Sequence, residues 1–293
     1  MPRAVLKQTT INYVKLGSWD GRAPVVMIHG LAASSAFWLH AADGVSRDHP
    51  VLLFDLRGHG RSSVPEQGYS SVHLAEDTVE LVDLLGIRSA TFVGHSFGGS
   101  VALAAALRWT GRVNALVLAD TRVRMFQPSL TLASWPRWPE RKEHLRELGF
   151  DVAEDDPEAG VRLLTKLAAL QMKSGEGLPR WVVEFFGQSQ SRWTATRWLD
   201  LVERTTLLDD IIQENWLTAE ALRTLEPPLL ALYGDHSPLL KSGLRLKDVR
   251  PLTDLRLVPG AGHFFPVARP ATFVDPVREF LSSLATASAG IAG

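Results

Sequence analysis

Cysteine is absent from the 293 residues, which excludes disulfides, thiolate metal sites and a cysteine nucleophile while leaving the compartment open. An excess of charge of either sign is missing too. With 31 Lys+Arg against 32 Asp+Glu the net charge is -1, so no global field draws the chain to nucleic acid or to an anionic membrane. The expected partner is a small molecule or a carrier-bound one, and the oligomeric state is left open. No run reaches the ~18 apolar residues of a membrane span, and the segment Met1 to Lys7 lacks the apolar stretch of a signal peptide. These absences lead us to expect a soluble, cytoplasmic protein. The histidines at 40, 49, 73, 144 and 236 have no partner spacing that suggests a metal site, so none is expected.

What is present is an alternation. Between residues 25 and 120, short β-branched runs alternate with helical ones, which argues for a parallel sheet covered by helices on both faces. The expected strands are Val25 to His29, Val51 to Asp55, Ala90 to Val93 and Val113 to Ala119. Ser70 to Leu85 has a helical spacing of apolar residues that stops at Gly86. The strand pattern resumes at Leu229 to Tyr233 and Leu255 to Val258, and a last helix runs from Ala271 to Leu284 before a small-residue tail that is expected to fray. The interruption, about Thr121 to Glu226, has several helical segments, no convincing strand, and breaks at Pro136 to Pro139 and Gly175 to Pro179. It reads as a helical cap inserted after the sixth strand, giving a core of residues 1–120 and 227–293 and a cap of 121–226.

The most specific motif is Gly94-His95-Ser96-Phe97-Gly98, placed between the strand ending at Val93 and a glycine-alanine stretch, Gly99 to Trp109, that reads as a helix. A G-x-S-x-G elbow needs this context, because the serine stands on a sharp strand-to-helix turn with its hydroxyl pushed out of the sheet edge. Ser96 is therefore the first candidate for chemistry. His29-Gly30-Leu31 ends an earlier strand, and the amide after such a turn can pair with that of Phe97 to hold a developing oxyanion. Gly260-Ala261-Gly262-His263 follows the last strand and offers an imidazole on a turn, where a general base has to lie to reach a serine hydroxyl.

The order and spacing of these pieces resemble the α/β-hydrolase fold superfamily over nearly the whole chain. The resemblance implies a mostly parallel eight-stranded sheet flanked by helices, with Ser96 as nucleophile, His263 as base and the amides of Leu31 and Phe97 as oxyanion hole. It implies no cofactor. The segment Asp55 to Ser62 is similar to the superfamily's structural turn, so Arg57 and His59 are expected to brace loops, and His95 to pack. Most members place an aspartate in a Gly-x-x-Asp arrangement after the seventh strand, yet this chain reads Gly234-Asp235-His236-Ser237 there. A serine brings no negative charge to offset an imidazolium. Asp120, closing the sixth strand, occupies the position used by a minority that includes haloalkane dehalogenases and some chain-terminating polyketide thioesterases. It is the preferred acid, with Asp235 as the alternative.

The activity so implied is hydrolysis of an ester or thioester through an acyl-enzyme on Ser96, with a biosynthetic thioesterase as the more specific expectation. Cofactor-free haloperoxidases, lactonases and carbon-carbon bond hydrolases share the triad, and a non-catalytic ligand receptor shares the fold. Six tryptophans (135, 138, 181, 193, 198 and 216) with Phe126, Phe185 and Phe186 make the cap aromatic, which suits a medium or large apolar acyl group. Each of these is also what fills the core of a thin helical layer. The cap begins with Arg122, Arg124, Arg137, Arg141, Lys142 and Arg146 against Glu140 and Glu143, either a surface for a carrier or acidic substrate group or a solvated helix face.

Overall fold

Apolar residues alternate between two destinations along each central strand, and this alternation builds two cores on opposite faces of one sheet. The computed structural model describes residues 2–135, 138–147, 149, 153–156, 158–173 and 192–291, without the side chains of Ser134, Arg141 and residues 287–291. Its strands are β1 (Arg3–Val5), β2 (Thr10–Leu16), β3 (Val25–Ile28), β4 (Val51–Phe54), β5 (Ala90–His95), β6 (Val113–Ala119), β7 (Leu229–Gly234) and β8 (Asp254–Val258). They form one eight-stranded sheet in the order β1-β2-β4-β3-β5-β6-β7-β8, parallel from β4 to β8 and antiparallel only at β1 and β2. Val26, Ile28, Leu52, Phe54, Phe92, Leu116 and Leu118 face a core shared with α2 (Ser71–Leu84) and α3 (Phe97–Arg108). Val25, Met27, Leu53, Val93, Val117 and Leu230 face the other, closed by α1 (Leu39–Ser46) and the C-terminal helix Ala271–Ile291.

The structure departs from expectation at β1 and β2, which were not located in the sequence, and at element ends. The helix after the elbow starts at Phe97, two residues early, because Gly98 and Gly99 allow the first turn to lie against β3 and Thr121: a Cβ on Gly98 would strike the carbonyls of Ile28 and His29. The alanine-rich tail continues as helix to Ile291, in keeping with the high helix propensity of alanine. After β6 comes a helical region with α4 (Trp138–Glu147), α5 (Ala159–Lys173) and α6 (Arg192–Arg204), and no strand among its described residues. Leu132, Trp138, Leu145, Ala159, Leu163 and Leu167 give it a small core of its own, while Trp198 joins the main core. Trp181, Phe185, Phe186, Arg137 and the break at 175–179 lie outside the described residues, as does part of the break at 136–139.

The turn after β4 is held from below by a buried ion pair. Arg57 Nε and Nη2 donate to the two carboxylate oxygens of Asp77 on α2, both at 2.6 Å, and Nη1 donates to the Gln67 carbonyl at 3.1 Å. Both side chains are nearly inaccessible. Removing one partner leaves an uncompensated charge in the interior, so Asp77→Ala is expected to cost about 3–5 kcal/mol of stability. Urea unfolding followed by circular dichroism measures this, and a cost under about 1 kcal/mol would contradict the role assigned to the pair.

Candidate active site

The sheet register carries three turns to one rim. Ile28 pairs with Gly94, Gly94 with Leu118 and Ala119 with Leu232, so β3, β5, β6 and β7 end side by side. The ladder continues past the strands: the Ser96 amide donates to the Ala119 carbonyl at 3.1 Å, and the Asp120 amide to the Leu232 carbonyl at 2.8 Å. Ala32, Ser96 and Asp120 are the three non-glycine residues with positive φ among the described residues, at +54°, +54° and +47°. Left-handed backbone costs a residue with a Cβ of the order of 1–3 kcal/mol, and such residues cluster where function needs a side chain aimed against its preference. All three lie just beyond the ends of the central strands.

Asp120 is completely buried and every hydrogen bond it accepts comes from the β7 and β8 turns. Oδ1 accepts from the Gly234 amide at 3.0 Å; Oδ2 accepts from the Ser237 hydroxyl and lies 2.7 Å from His263 Nδ1. A carboxylate facing Nδ1 fixes that nitrogen as the protonated one and leaves Nε2 as the basic site. Asp235 points elsewhere. Its Oδ1 accepts from the Ala261 amide at 3.2 Å, bracing the turn that carries His263, and its side chain is partly exposed. Ser237, which stands where an aspartate was looked for, supplies a hydroxyl to Asp120. A second carboxylate there would meet Asp120 as a like charge in the interior.

Ser96 and His263 line the same cavity of about 650 Å³. No hydrogen bond joins the Ser96 hydroxyl to the imidazole in this arrangement, and contacts of this kind are often loose before substrate is bound. His95 does more than pack. Its Nε2 donates to the His263 carbonyl at 3.0 Å, and its ring lies between those of Phe37 and His263, with centroids at 4.4 and 4.6 Å. The segment carrying His263 is therefore held from β5 as well as from β6. Phe97 is the first residue of α3, so its amide has no partner within the helix, and Leu31 lies on the turn after β3; both residues line the cavity. His29 shapes that turn: Nδ1 lies 2.8 Å from the Gly30 carbonyl, and Nε2 accepts from the Leu56 amide at 3.0 Å. Arg57 and His59 brace loops, His59 through Nδ1 to the Arg57 carbonyl at 3.0 Å.

The remaining wall is contributed by Phe264, Leu239, Ile211 and the helical region, including Leu130, Trp135, Val161 and Leu164. Among the described tryptophans of that region, Trp135 alone lines the cavity. Trp138 and Trp198 are buried in cores, and Trp216 donates to Ser71 and Glu214. Ala32 and Ser100 are not among the site residues expected from the sequence. The only sequence signal for Ser237 is its place in Gly-x-x-Ser, where an aspartate is expected, and alanine at 32 gives no hint of its left-handed backbone. No group of three metal-ligating side chains is found among the described residues, and no described helix is long and apolar enough to cross a membrane.

Residues 23–270 match the family model for the alpha/beta hydrolase fold, and the chain belongs to that family. Among curated relatives it is similar to RutD of Caulobacter vibrioides, provisionally named a carbamate hydrolase, at 29% identity over 278 residues, covering 90% of this chain and 92% of RutD. Among solved structures it is similar to the esterase RhEst1 from a Rhodococcus species, with a TM-score of 0.69, 24% identity and coverage of 96% and 98% of the two chains. It is also similar to the enol-lactonase of Burkholderia xenovorans, with a TM-score of 0.66, 21% identity and coverage of 96% and 100%.

Burial of the site's histidines has a consequence for acid stability. Desolvation holds His29 below the ordinary imidazole range, desolvation together with nearby His263 holds His95 well below it, and desolvation with nearby His29 pushes His59 down to about 3. All three are neutral in the folded protein, whereas in the unfolded chain they take up protons as pH falls through ~6.5. The unfolded state then binds more protons, so stability drops toward acid by about 1.4 kcal/mol per pH unit per histidine. Asp77 and Glu214, whose carboxyls burial pushes up, oppose this in part because they gain protons in the folded state first. Urea unfolding at pH 5 is expected to show stability about 2–4 kcal/mol below that at pH 7.5. Equal or higher stability at pH 5 would contradict the neutral histidine cluster.

Proposed function

We propose that this protein is a serine hydrolase that cleaves the ester bond of a medium-sized or large acyl substrate through an acyl-enzyme on Ser96. His263 Nε2 takes the Ser96 proton as the hydroxyl attacks the carbonyl, then returns it to the leaving oxygen. Water enters by the same route in reverse and releases the acid. Asp120 keeps His263 in the required tautomer and balances the imidazolium charge, and the amides of Leu31 and Phe97 receive the oxyanion. The observation that carries this reading is the 2.7 Å contact between Asp120 and His263 on the rim where Ser96 stands in left-handed conformation. Residues 121–226 act as a cap, because Trp135, Val161 and Leu164 line the same cavity as Ser96 and bound the space left for the acyl group. A thioester suits the same chemistry, since its carbonyl is attacked in the same way, and belongs in the same substrate panel.

The test separates the two acids. With p-nitrophenyl esters of graded chain length, Asp120→Asn is expected to lower kcat about 10³- to 10⁴-fold, because the amide favours the wrong imidazole tautomer. Asp235→Asn should stay within about threefold of the native enzyme, since the amide oxygen can still accept from Ala261 and the residue stands outside the reacting groups. The opposite ranking would remove Asp120 from the mechanism.

A further inference from the structure

Among the residues whose side chains are described, the basic segment that opens the helical region resolves into paired charges, with one exception on the cavity wall. Arg124 Nη2 lies 3.2 Å from Glu158 and also donates to the Ile212 carbonyl at 2.9 Å. Lys142 pairs with Glu154, and Arg146 with Glu143 at 3.6 Å. Arg122 has no carboxylate partner among the described residues. Its Nε donates to the Gln127 carbonyl at 2.9 Å and its Nη2 to the Pro128 carbonyl at 2.7 Å. Two of the five guanidinium N–H groups are thereby used, and Nη1 remains unengaged by any described residue.

The placement of Arg122 relative to the reacting serine follows from α3. Ser100 lies one turn beyond Ser96, about 6 Å along the helix, and its hydroxyl reaches the Arg122 carbonyl at 3.5 Å. Ser96, Ser100 and Arg122 all line the one cavity. The segment bearing the arginine is fixed before any ligand arrives. The Val123 amide donates to Ser242 Oγ at 3.0 Å, and buried Gln127 donates to the Pro238 carbonyl at 3.0 Å and accepts from Ser242 Oγ at 2.6 Å. A guanidinium held this way loses little freedom on binding an anion. Burial, reinforced by nearby Arg124 and offset in part by the charge of Glu158, lowers Arg122 to about 10, so it stays protonated at neutral pH. Two of the acids that line the cavity make their direct bonds elsewhere: Glu158 pairs with Arg124, while Glu214 accepts from Ser71 and Trp216 and is pushed by burial toward its neutral form.

We propose that Arg122 binds a carboxylate on the substrate, so that the preferred substrates are esters whose acyl chain ends in a carboxylate several carbons from the scissile carbonyl. The free edge of the guanidinium presents parallel donors to the two oxygens, the geometry in which arginine recognises carboxylates best. The apolar wall of Leu130, Val161 and Leu164 accommodates the intervening methylenes. This inference deepens the hydrolase reading and rests on it for the position of the carbonyl.

The experiment compares p-nitrophenyl half-esters of straight-chain diacids, succinate to suberate, with neutral esters of equal chain length, on native protein, Arg122→Met and Arg122→Lys. Native protein should favour at least one half-ester over its neutral counterpart. Arg122→Met should lower kcat/KM for that half-ester about 10- to 100-fold, chiefly through KM, while neutral esters change by less than about threefold and so report that the variant is folded. Arg122→Lys should retain part of the preference, since the charge remains and the fork is lost. Neutral esters favoured throughout, or a half-ester preference indifferent to Arg122→Met, would overturn the proposal. Calorimetric titration of Ser96→Ala with adipamate, the monoamide of adipic acid, gives a readout without turnover, and hexanamide is its neutral control. Adipamate binding that is lost on adding Arg122→Met, in a protein whose native form hydrolyses no ester, would sink the hydrolase reading and sustain the anion site. Ester turnover with adipamate bound no better than hexanamide would do the reverse.

Discussion

A buried carboxylate facing an imidazole at 2.7 Å is the constraint around which the rest of the rim is arranged. For Asp120 to reach His263, the chain at the end of β6 has to turn into left-handed backbone, and the interior has to supply donors for an otherwise isolated anion. The Gly234 amide and the Ser237 hydroxyl are those donors, which ties the orientation of the acid to β7. His263 is fixed in turn from two sides, by Asp120 through its ring and by His95 through its backbone. The backbone strain at Ala32, Ser96 and Asp120 is sustained by the parallel ladder beneath them, in which each of β3, β5 and β6 is flanked by strands on both sides.

From this frame the cavity acquires a direction. It is lined by Ser96, His263 and the turns at Leu31 and Phe97, and by apolar and charged side chains of the helical region, Leu130, Val161, Leu164 and Arg122 among them; the Arg122 carbonyl meets Ser100, one α3 turn beyond the serine. The basic stretch at the start of that region is therefore not one electrostatic surface. Its members within the described residues are drawn into pairs with Glu158, Glu154 and Glu143, and only the residue closest to the sheet keeps its charge for the cavity.

The six parallel strands were legible because β-branched runs bounded by turn residues leave few alternatives, whereas the antiparallel β1 and β2 were not placed; the elbow was legible because glycines at 94 and 98 are demanded by contact: a Cβ on Gly94 would meet Gly98 and Gly99, and one on Gly98 would meet β3. Which of Asp120 and Asp235 faces His263 is not decidable from local pattern. It depends on Asp120 extending the ladder to Leu232 while Asp235 turns to the Ala261 amide, two facts of pairing between segments far apart in the chain. The helical region was legible only in outline, since helices without strands fix no register, and which tryptophan faces the cavity depends on rotations that composition does not encode. His95 was read as packing because its hydrogen bond is to a backbone 168 residues away. Ser237 looked like a lost acid for the same reason: its partner is distant in sequence and adjacent only in the fold.

The most direct test of the account is the rate at which a fluorophosphonate labels the protein, with the modified peptide located by mass spectrometry. Native protein is predicted to label at Ser96 alone, and Asp120→Asn to label at the same serine by orders of magnitude more slowly while retaining the native circular dichroism spectrum. Labelling at another residue, or a rate in Asp120→Asn equal to the native one, would contradict the claim that this carboxylate primes the serine through His263.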